Sequence, residues 1–335
     1  MDPERVADVD RVPHGGSDHA DLVDFSANTN PIRPAGVANV YEAALSDATR
    51  YADDFTAFRA AAADYVDCDP DEVVPAAGGS AALRLAFGVT VAPGDRVLVP
   101  EPSFGEYARE IQLQGGDPIG VAHEDLLATD PEQYAAVVVC TPNNPTGDLV
   151  DPDALREFLD DCRAATTPLI VDEAFLDFTA APSLAGEPGV VVARSLTKMF
   201  GLPGIRAGFA VAVGDLGERL RAARQPWSLS TPAAAVGEHC LRQESFVERT
   251  RERVDRERAR MRDALSTAYD VAPSNAPFLL LDVGEESVDR VIHRAREGGV
   301  AIRDARTFTG LDSHVRVAVR RPHENDLVLD ALLDR

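Results

Sequence analysis

Residues Arg194–Gly208 read RSLTKMFGLPGIRAG. This stretch is a polar turn that directly follows a run of β-branched residues, and it contains Lys198, the only lysine of the chain. A lysine beyond the carboxyl end of a buried strand can form a Schiff base when its pKa is lowered. The hydroxyls of Ser195 and Thr197 and the guanidinium of Arg206 are groups that bind phosphate. The alternative, a surface lysine in an ordinary loop, is disfavoured because the rest of the chain has no lysine.

The middle of the chain alternates short apolar runs with helical patterns. The apolar runs are continuous, as in strands that are buried on both faces of a mostly parallel sheet. The predicted strands are Arg96–Pro100, Ala135–Thr141, Leu169–Asp172 and Val190–Arg194, and the predicted helices between them are Ser80–Val89, Gly105–Gln114 and Pro152–Ala165. This alternation predicts an open α/β sheet, in which ligands bind beyond the carboxyl ends of the strands.

The pattern of the sequence changes after about residue 215. A strand is predicted at Phe209–Val213, then a long charged helix at Glu248–Ala268 and two strands at Phe278–Val283 and Val315–Val319. We therefore expect a large domain over residues 36–214 and a smaller α+β domain over residues 215–335. Residues 1–35 are expected to form an N-terminal arm that belongs to the small domain.

The charge of the chain excludes several classes of partner. The formal net charge is −23, from 33 basic and 56 acidic residues, and such a surface repels nucleic acid and anionic membranes. Acidic excess combined with the loss of lysine suits a salt-rich cytoplasm, because salt screens the self-repulsion, so a halophilic host is expected. A GC-rich genome would exchange lysine for arginine, but it would not explain the acidity.

Other patterns bear on localisation and metal binding. No apolar run reaches the length of a membrane span, and the N-terminal sequence MDPERVADVDRVPHGG lacks the apolar core of a signal peptide. The scattered cysteines are expected to be reduced, buried thiols of a cytoplasmic protein. They are Cys68, Cys140, Cys162 and Cys240. The histidines show no ligand spacing, so no metal site is expected.

Four further motifs fall near predicted strand ends. Asp172 ends the run LIVD, where a carboxylate can keep a ring nitrogen protonated, although a helix cap is the simpler interpretation of this residue alone. The turn TPNNPTG at 141–147 offers amide donors, and AAGGSA at 76–81 opens a helix with exposed N–H groups that suit a phosphate. The aromatic residues of PSFGEY at 102–107 can stack on a flat ring or can belong to the core.

In order and spacing, these motifs resemble the fold-type I pyridoxal-phosphate (PLP) enzymes of the class II aminotransferase group, over nearly the whole chain from about His14. That group includes histidinol-phosphate aminotransferase and threonine-phosphate decarboxylase. The resemblance implies that Lys198 carries the cofactor and that Asp172 pairs with its pyridine nitrogen. It also implies cofactor contacts for Asn144 with the ring oxygen, for Phe104 with the ring face, and for Gly79, Ser80, Ala81, Ser195, Thr197 and Arg206 with the phosphate.

Two further roles follow from the same resemblance. Tyr51, in RYADD, matches a tyrosine that reaches the cofactor phosphate of the neighbouring subunit, which implies a homodimer with shared active sites. Arg316, in HVRVAVR, matches the arginine that binds the substrate α-carboxylate in a bidentate fork. The chain departs from the group's usual pattern in AAGGSAAL, which lacks an Asn between the glycines, and in RYADD, which lacks a Pro after the Tyr.

Several details look more like the decarboxylase than the transaminases. They are HGG at 14–16, DFSANTNP at 24–31, QPWSLS at 225–230 and DEAFLDF at 172–178, where Phe175 stands in place of a tyrosine of many transaminases. The resemblance implies decarboxylation of L-threonine O-3-phosphate to (R)-1-aminopropan-2-ol phosphate in cobalamin biosynthesis. It makes Arg303 the candidate ligand of the substrate phosphate, with His14 and Asn28 or Asn30 nearby.

Two rival functions stand beside this one. A histidinol-phosphate aminotransferase, which exchanges amino groups with glutamate and 2-oxoglutarate, would use nearly the same residues. A non-catalytic PLP-binding regulatory domain is the rival from another class. Such domains usually accompany a DNA-binding module, which the negative charge of this chain disfavours.

Overall fold

The computed structural model of the protein describes residues 1–16 and 21–333. The strands are β1 (Val23–Asp24), β2 (Val73–Ala76), β3 (Arg96–Glu101), β4 (Asp117–Ala122), β5 (Ala136–Cys140), β6 (Leu169–Asp172), β7 (Val190–Ser195), β8 (Gly208–Val211), β9 (Asp270–Val271), β10 (Phe278–Asp282), β11 (Val300–Ala301), β12 (Arg303–Asp304) and β13 (His314–Ala318). The helices are α1 (Val37–Ala44), α2 (Thr56–Val66), α3 (Gly79–Thr90), α4 (Glu106–Leu113), α5 (Pro152–Ala164), α6 (Leu196–Met199), α7 (Gly214–Ala223), α8 (Thr231–Leu241), α9 (Glu244–Leu265), α10 (Val288–Glu297) and α11 (Pro322–Leu333). Within the described ranges, no helix combines the length and apolarity needed to cross a bilayer.

The central sheet has seven strands in the order β2-β8-β7-β6-β5-β3-β4. They run parallel except β8, which pairs antiparallel with both of its neighbours. Strands β5 to β8 are buried along their whole length, which explains why their sequences are continuous apolar runs rather than alternating ones. The predicted α/β class with a mostly parallel sheet is therefore confirmed. The strand predicted at Phe209–Val213 lies slightly earlier, at β8.

A second sheet, antiparallel and of order β12-β13-β10-β9, forms the core of the small domain. Helix α9 packs against β9, β10 and α11. It begins at Glu244, four residues before its predicted start, because buried Phe246 and Val247 extend its apolar side by one turn. It ends at Leu265, three residues before its predicted end.

Two predicted domain limits need adjustment. Helices α7 and α8 follow the expected boundary at residue 215, yet α7 packs on α3 and α8 packs on α1 and α2. We therefore propose a boundary between α8 and α9. The start of the N-terminal arm also lies against the large domain, because the N–H of Asp2 donates to the carbonyl of Leu113 on α4 at 2.8 Å. Only from β1, which pairs with β11, does the arm join the small domain.

Candidate active site

A cavity of about 240 Å³ lies where the carboxyl ends of β6 and β7 face the small domain. Its walls come from both sheets, from the start of α3 and from the N-terminal arm. Of the residues expected in the site, it is lined by His14, Asn28, Gly79, Ser80, Phe104, Asn144, Asp172, Ser195, Thr197, Lys198, Arg206, Arg303 and Arg316. Motifs that are far apart in the sequence therefore meet at the sheet edge where an open α/β fold binds ligands.

Lys198 lies in α6, the single helical turn that follows β7. The Ser195 hydroxyl caps this turn by accepting from the Thr197 N–H at 3.4 Å, and the two hydroxyl oxygens are 2.8 Å apart. Burial lowers the pKa of Lys198 to about 8, helped by the charge of Arg316 and opposed by Asp172. A neutral amine, the form that attacks an aldehyde, is therefore accessible near neutral pH.

The start of α3 presents donors that suit a phosphate group. The N–H groups of Gly79 and Ser80 belong to the first turn, where the helix itself offers no acceptor, and both residues line the cavity. Arg206 reaches the same place and donates to the carbonyl of Ala77 at 3.2 Å. A Cβ on Gly78, whose φ is 94°, would lie 2.7 Å from Arg206 Nη2, so glycine is needed to seat this guanidinium.

Asp172 ends β6 and is held by two hydrogen bonds. Its carboxylate accepts from the hydroxyl of Tyr107 at 2.6 Å and from the N–H of Ala174 at 3.0 Å. Burial raises the pKa of Asp172, and both hydrogen bonds oppose that effect. Tyr107 was predicted from the sequence only as one of the aromatic residues of PSFGEY that can stack on a ring or belong to the core.

Arg316 and Arg303 bring two buried positive charges to the cavity, and neither has an acidic ion-pair partner among the described residues. Arg316 donates to the side-chain oxygen of Asn144. Arg303 donates to the Pro13 carbonyl and the Thr307 hydroxyl, both at 2.7 Å. These acceptors are neutral, and burial lowers the pKa of both guanidinium groups. Buried charges are normally paired, so this arrangement calls for an anionic ligand.

The N-terminal arm also contributes polar groups to the lining of the cavity. His14 Nε2 lies 3.0 Å from Glu106 Oε1, and its ring centre is 5.6 Å from that of Phe104. Asn28 is buried, and within the described part of the chain its side-chain oxygen has no hydrogen-bond partner. These groups can make further polar contacts with a ligand in the cavity.

Three residues expected in the site do not line this cavity. Asn30 donates to the carbonyl of Met199 at 2.7 Å and so supports the segment that carries the lysine, which corrects its assignment to the substrate. The N–H of Ala81 donates to the carbonyl of Gly78 at 3.1 Å. It is therefore not available for a phosphate, which corrects the predicted contact of Ala81. Tyr51 is 84% exposed on the surface of its own chain.

The polar groups around the cavity match those of pyridoxal phosphate in a single orientation of the cofactor. The donors at α3 suit the phosphate, the acid at the end of β6 suits the ring nitrogen, and Lys198 suits the aldehyde. A buried amine and a buried acid at the carboxyl edge of a mostly parallel sheet define a PLP-dependent enzyme of the aminotransferase type.

The chain belongs to the class I and II aminotransferase family, whose family model, described as "Aminotransferase class I and II", matches residues 20–332. It is 31% identical over 319 residues to histidinol-phosphate aminotransferase 1 of Archaeoglobus fulgidus, covering 93% of this chain and 98% of that protein. It is 32% identical over 335 residues to threonine-phosphate decarboxylase of Salmonella typhimurium, covering 93% of this chain and 90% of that protein.

A solved structure shows the same fold. The histidinol-phosphate aminotransferase from Sinorhizobium meliloti in complex with pyridoxal-5'-phosphate has a TM-score of 0.83 at 20% identity, covering 94% of this chain and 89% of that one. The resemblance inferred from the motifs is confirmed. The two enzyme names occur at nearly equal identity, so overall similarity does not distinguish the substrate.

The low pKa of Lys198 predicts how cofactor uptake depends on pH. We expect the rate at which cofactor-free protein takes up pyridoxal phosphate to rise with pH and to level off above about 8, because only the neutral amine attacks. Stopped-flow absorbance over a series of pH values would measure this rate. A midpoint above about 10, the value of an ordinary lysine, would contradict the effect of burial.

Proposed function

We propose that the protein decarboxylates L-threonine O-3-phosphate, releasing CO2 and (R)-1-aminopropan-2-ol phosphate. The observation that carries this proposal is the pairing of Arg303 with Arg316, directly opposite each other on β12 and β13. Such residues have Cβ atoms about 5 Å apart. Both guanidinium groups also lie over the ring of Phe308, at 5.7 and 5.4 Å from its centre. Two neighbouring cations call for a ligand with two anionic groups close together.

Threonine phosphate meets that requirement, because its carboxylate and its phosphate are attached to adjacent carbon atoms. Arg316 would bind the carboxylate through two parallel N–H donors, since its hydrogen bond to the side-chain oxygen of Asn144 already fixes the guanidinium. Arg303 would bind the phosphate, with His14 and Asn28 as further polar contacts at the wall of the cavity. Each buried arginine would thereby gain the counter-charge that it lacks within the described chain.

Histidinol-phosphate aminotransferase is the second candidate, because a relative with that name is 31% identical to this chain. Histidinol phosphate carries a phosphate and an imidazole but no carboxylate, so it offers no second anionic group beside its phosphate. Glutamate, the amino donor of that reaction, carries its two carboxylates on carbon atoms that are not adjacent. The close pairing of Arg303 and Arg316 therefore favours the decarboxylase.

The residues of the chain would decide which substrate bond breaks. When held by Lys198, Asp172 and the phosphate donors of α3, PLP would supply an electron sink for the α-carbon bond that breaks. Arg316 and Arg303, by holding both anionic groups, would fix the rotation of that carbon and present the carboxylate for loss. Asp172 would keep a negative charge opposite the ring nitrogen. The amine of Lys198 would deliver a proton to the α-carbon after CO2 has left.

An assay with two substrates tests this proposal. Purified protein with bound PLP is expected to release CO2 from L-threonine phosphate and much less from unphosphorylated L-threonine. Turnover of histidinol phosphate that depends on 2-oxoglutarate and releases no CO2 would show the aminotransferase instead. A protein that bound PLP but turned over neither substrate would fit the non-catalytic binding domain.

The shared active site of a homodimer is part of the same proposal. Tyr51 is exposed and packs at a tilt against Trp227, which is 55% exposed, with ring centres 4.5 Å apart. Asp53 accepts from the Trp227 N–H and from Arg224, both at 2.8 Å, so this aromatic pair is held in place. A second copy that covered the pair would receive Tyr51 at its own cofactor phosphate. The cobalamin pathway, the cytoplasmic location and the halophilic host stay predictions of the sequence.

A further inference from the structure

We propose that Tyr107 is a positioning residue that keeps the Asp172 carboxylate ionised and aimed at the cofactor's ring nitrogen. The proposal rests on the PLP cofactor and is independent of which substrate the enzyme uses. Tyr107 lies on α4 with its side chain fully buried, and its hydroxyl donates to Asp172 Oδ2 at 2.6 Å. Both groups have lost their hydration, so each depends on this hydrogen bond for compensation.

The direction of this hydrogen bond is fixed by charge. Burial, together with the charge of Asp172, raises the pKa of Tyr107 well above its ordinary value, so the phenol stays neutral and donates. Cys140, also in this buried cluster, stays a neutral thiol because burial raises its pKa as well. The acid is therefore the acceptor. Its other oxygen is fixed by the Ala174 N–H at 3.0 Å, so the carboxylate cannot rotate.

The acid needs this donor because its surroundings oppose its charge. Burial is the largest effect and raises the pKa of Asp172, and the neighbouring carboxylate of Glu173 acts in the same direction. The Tyr107 hydroxyl, the Ala174 N–H and the charge of Lys198 lower it. The amine of Lys198 becomes neutral near pH 8. Above that pH, the Tyr107 hydroxyl is the side-chain group that continues to lower the pKa of Asp172. Removing this hydroxyl would therefore raise the pKa of Asp172.

Packing is the competing explanation. The ring of Tyr107 also meets the ring of Phe104 edge-on, with centres 5.6 Å apart, and Phe104 lines the cavity. A Tyr107→Phe variant separates the two explanations, since it removes one oxygen atom and keeps the ring. Tyr134→Phe is the matched control, because Tyr134 lies away from the cavity at the end of a short turn before β5.

The test compares two cofactors on full-length, cofactor-free protein. Dissociation constants are measured for PLP and for its carbocyclic analogue, in which a C–H group replaces the ring nitrogen. We expect Tyr107→Phe to weaken PLP binding about tenfold, which corresponds to the loss of one hydrogen bond to a charged group. Binding of the analogue, which gains nothing from an ionised Asp172, is expected to change less than about twofold. Retained binding of the analogue would also show that the variant is folded.

The pH profile gives a second readout that a packing role would not move. The affinity for PLP falls in acid as Asp172 becomes protonated, and this fall is expected at higher pH in Tyr107→Phe than in the wild type. Tyr134→Phe is expected to match the wild type in every measurement. Equal weakening for both cofactors, or an unchanged pH midpoint, would overturn the proposal whatever reaction the enzyme proves to catalyse.

Discussion

Replacing Lys198 by alanine is expected to lower turnover by on the order of 10⁴-fold or more, because in the proposed mechanism the amine would both attach the cofactor and carry the proton. No other side chain can substitute, since Lys198 is the only lysine of the chain. The pKa of about 8 makes it reactive without a separate base. Steady-state CO2 release from L-threonine phosphate, compared between wild type and variant, measures the loss.

The single lysine also makes attachment directly measurable. Borohydride reduction of the wild-type holoprotein is expected to add one cofactor to the peptide that contains Lys198, as seen by mass spectrometry. The variant should gain nothing at that peptide. Peptides that lack Lys198 serve as an internal control, because they contain no lysine side chain. Full turnover by Lys198→Ala would refute the assignment of the cofactor site.

Replacing Arg303 by alanine is expected to reduce kcat/KM for L-threonine phosphate by about 10²–10³-fold, the effect of removing one partner of a buried charged pair. For unphosphorylated L-threonine the change is expected to stay below about threefold, because that substrate has no second anion. The fold should tolerate the change, since the hydrogen bonds that Arg303 makes to residues within 1–16 and 21–333 go to neutral groups, and Arg303 lies opposite Arg316.

Arg306 offers a matched control for this substitution. It lies three residues further along the chain, at the surface, where it forms ion pairs with Asp289 and Asp304. Arg306→Ala removes the same charge outside the cavity and is expected to leave both substrates unaffected. Equal losses for phosphorylated and unphosphorylated threonine in Arg303→Ala would reject Arg303 as the phosphate ligand and would weaken the case for a dianionic substrate.

Strand β6 matches its prediction, and β7 differs by one residue, because continuous β-branched runs have few alternatives to a buried strand. Lys198 and Asp172 could be placed at one sheet edge for the same reason, since each directly follows or ends such a run. The fold class therefore followed from local pattern alone.

Contacts that depend on docking between elements could not be predicted. Tyr107 meets Asp172 only because α4 packs beside the sheet, and nothing local in the sequence distinguishes that hydroxyl from a core aromatic. Asn28 and Asn30 are two residues apart, yet only Asn28 lines the cavity. The side-chain amide of Asn30 supports the Lys198 segment instead, through a tertiary contact with a residue 169 positions away in the sequence.

The reactive groups and the proposed substrate anchors are built on different sheets. Lys198 and Asp172 belong to the parallel sheet, whereas Arg303 and Arg316 belong to the antiparallel sheet of the small domain. Substrate specificity could thus change through a few substitutions on β12 and β13 while the PLP chemistry stayed intact. Enzymes of nearly equal overall identity can then differ in the molecule they consume, and the pair of positions facing each other across those strands is more diagnostic than whole-chain similarity.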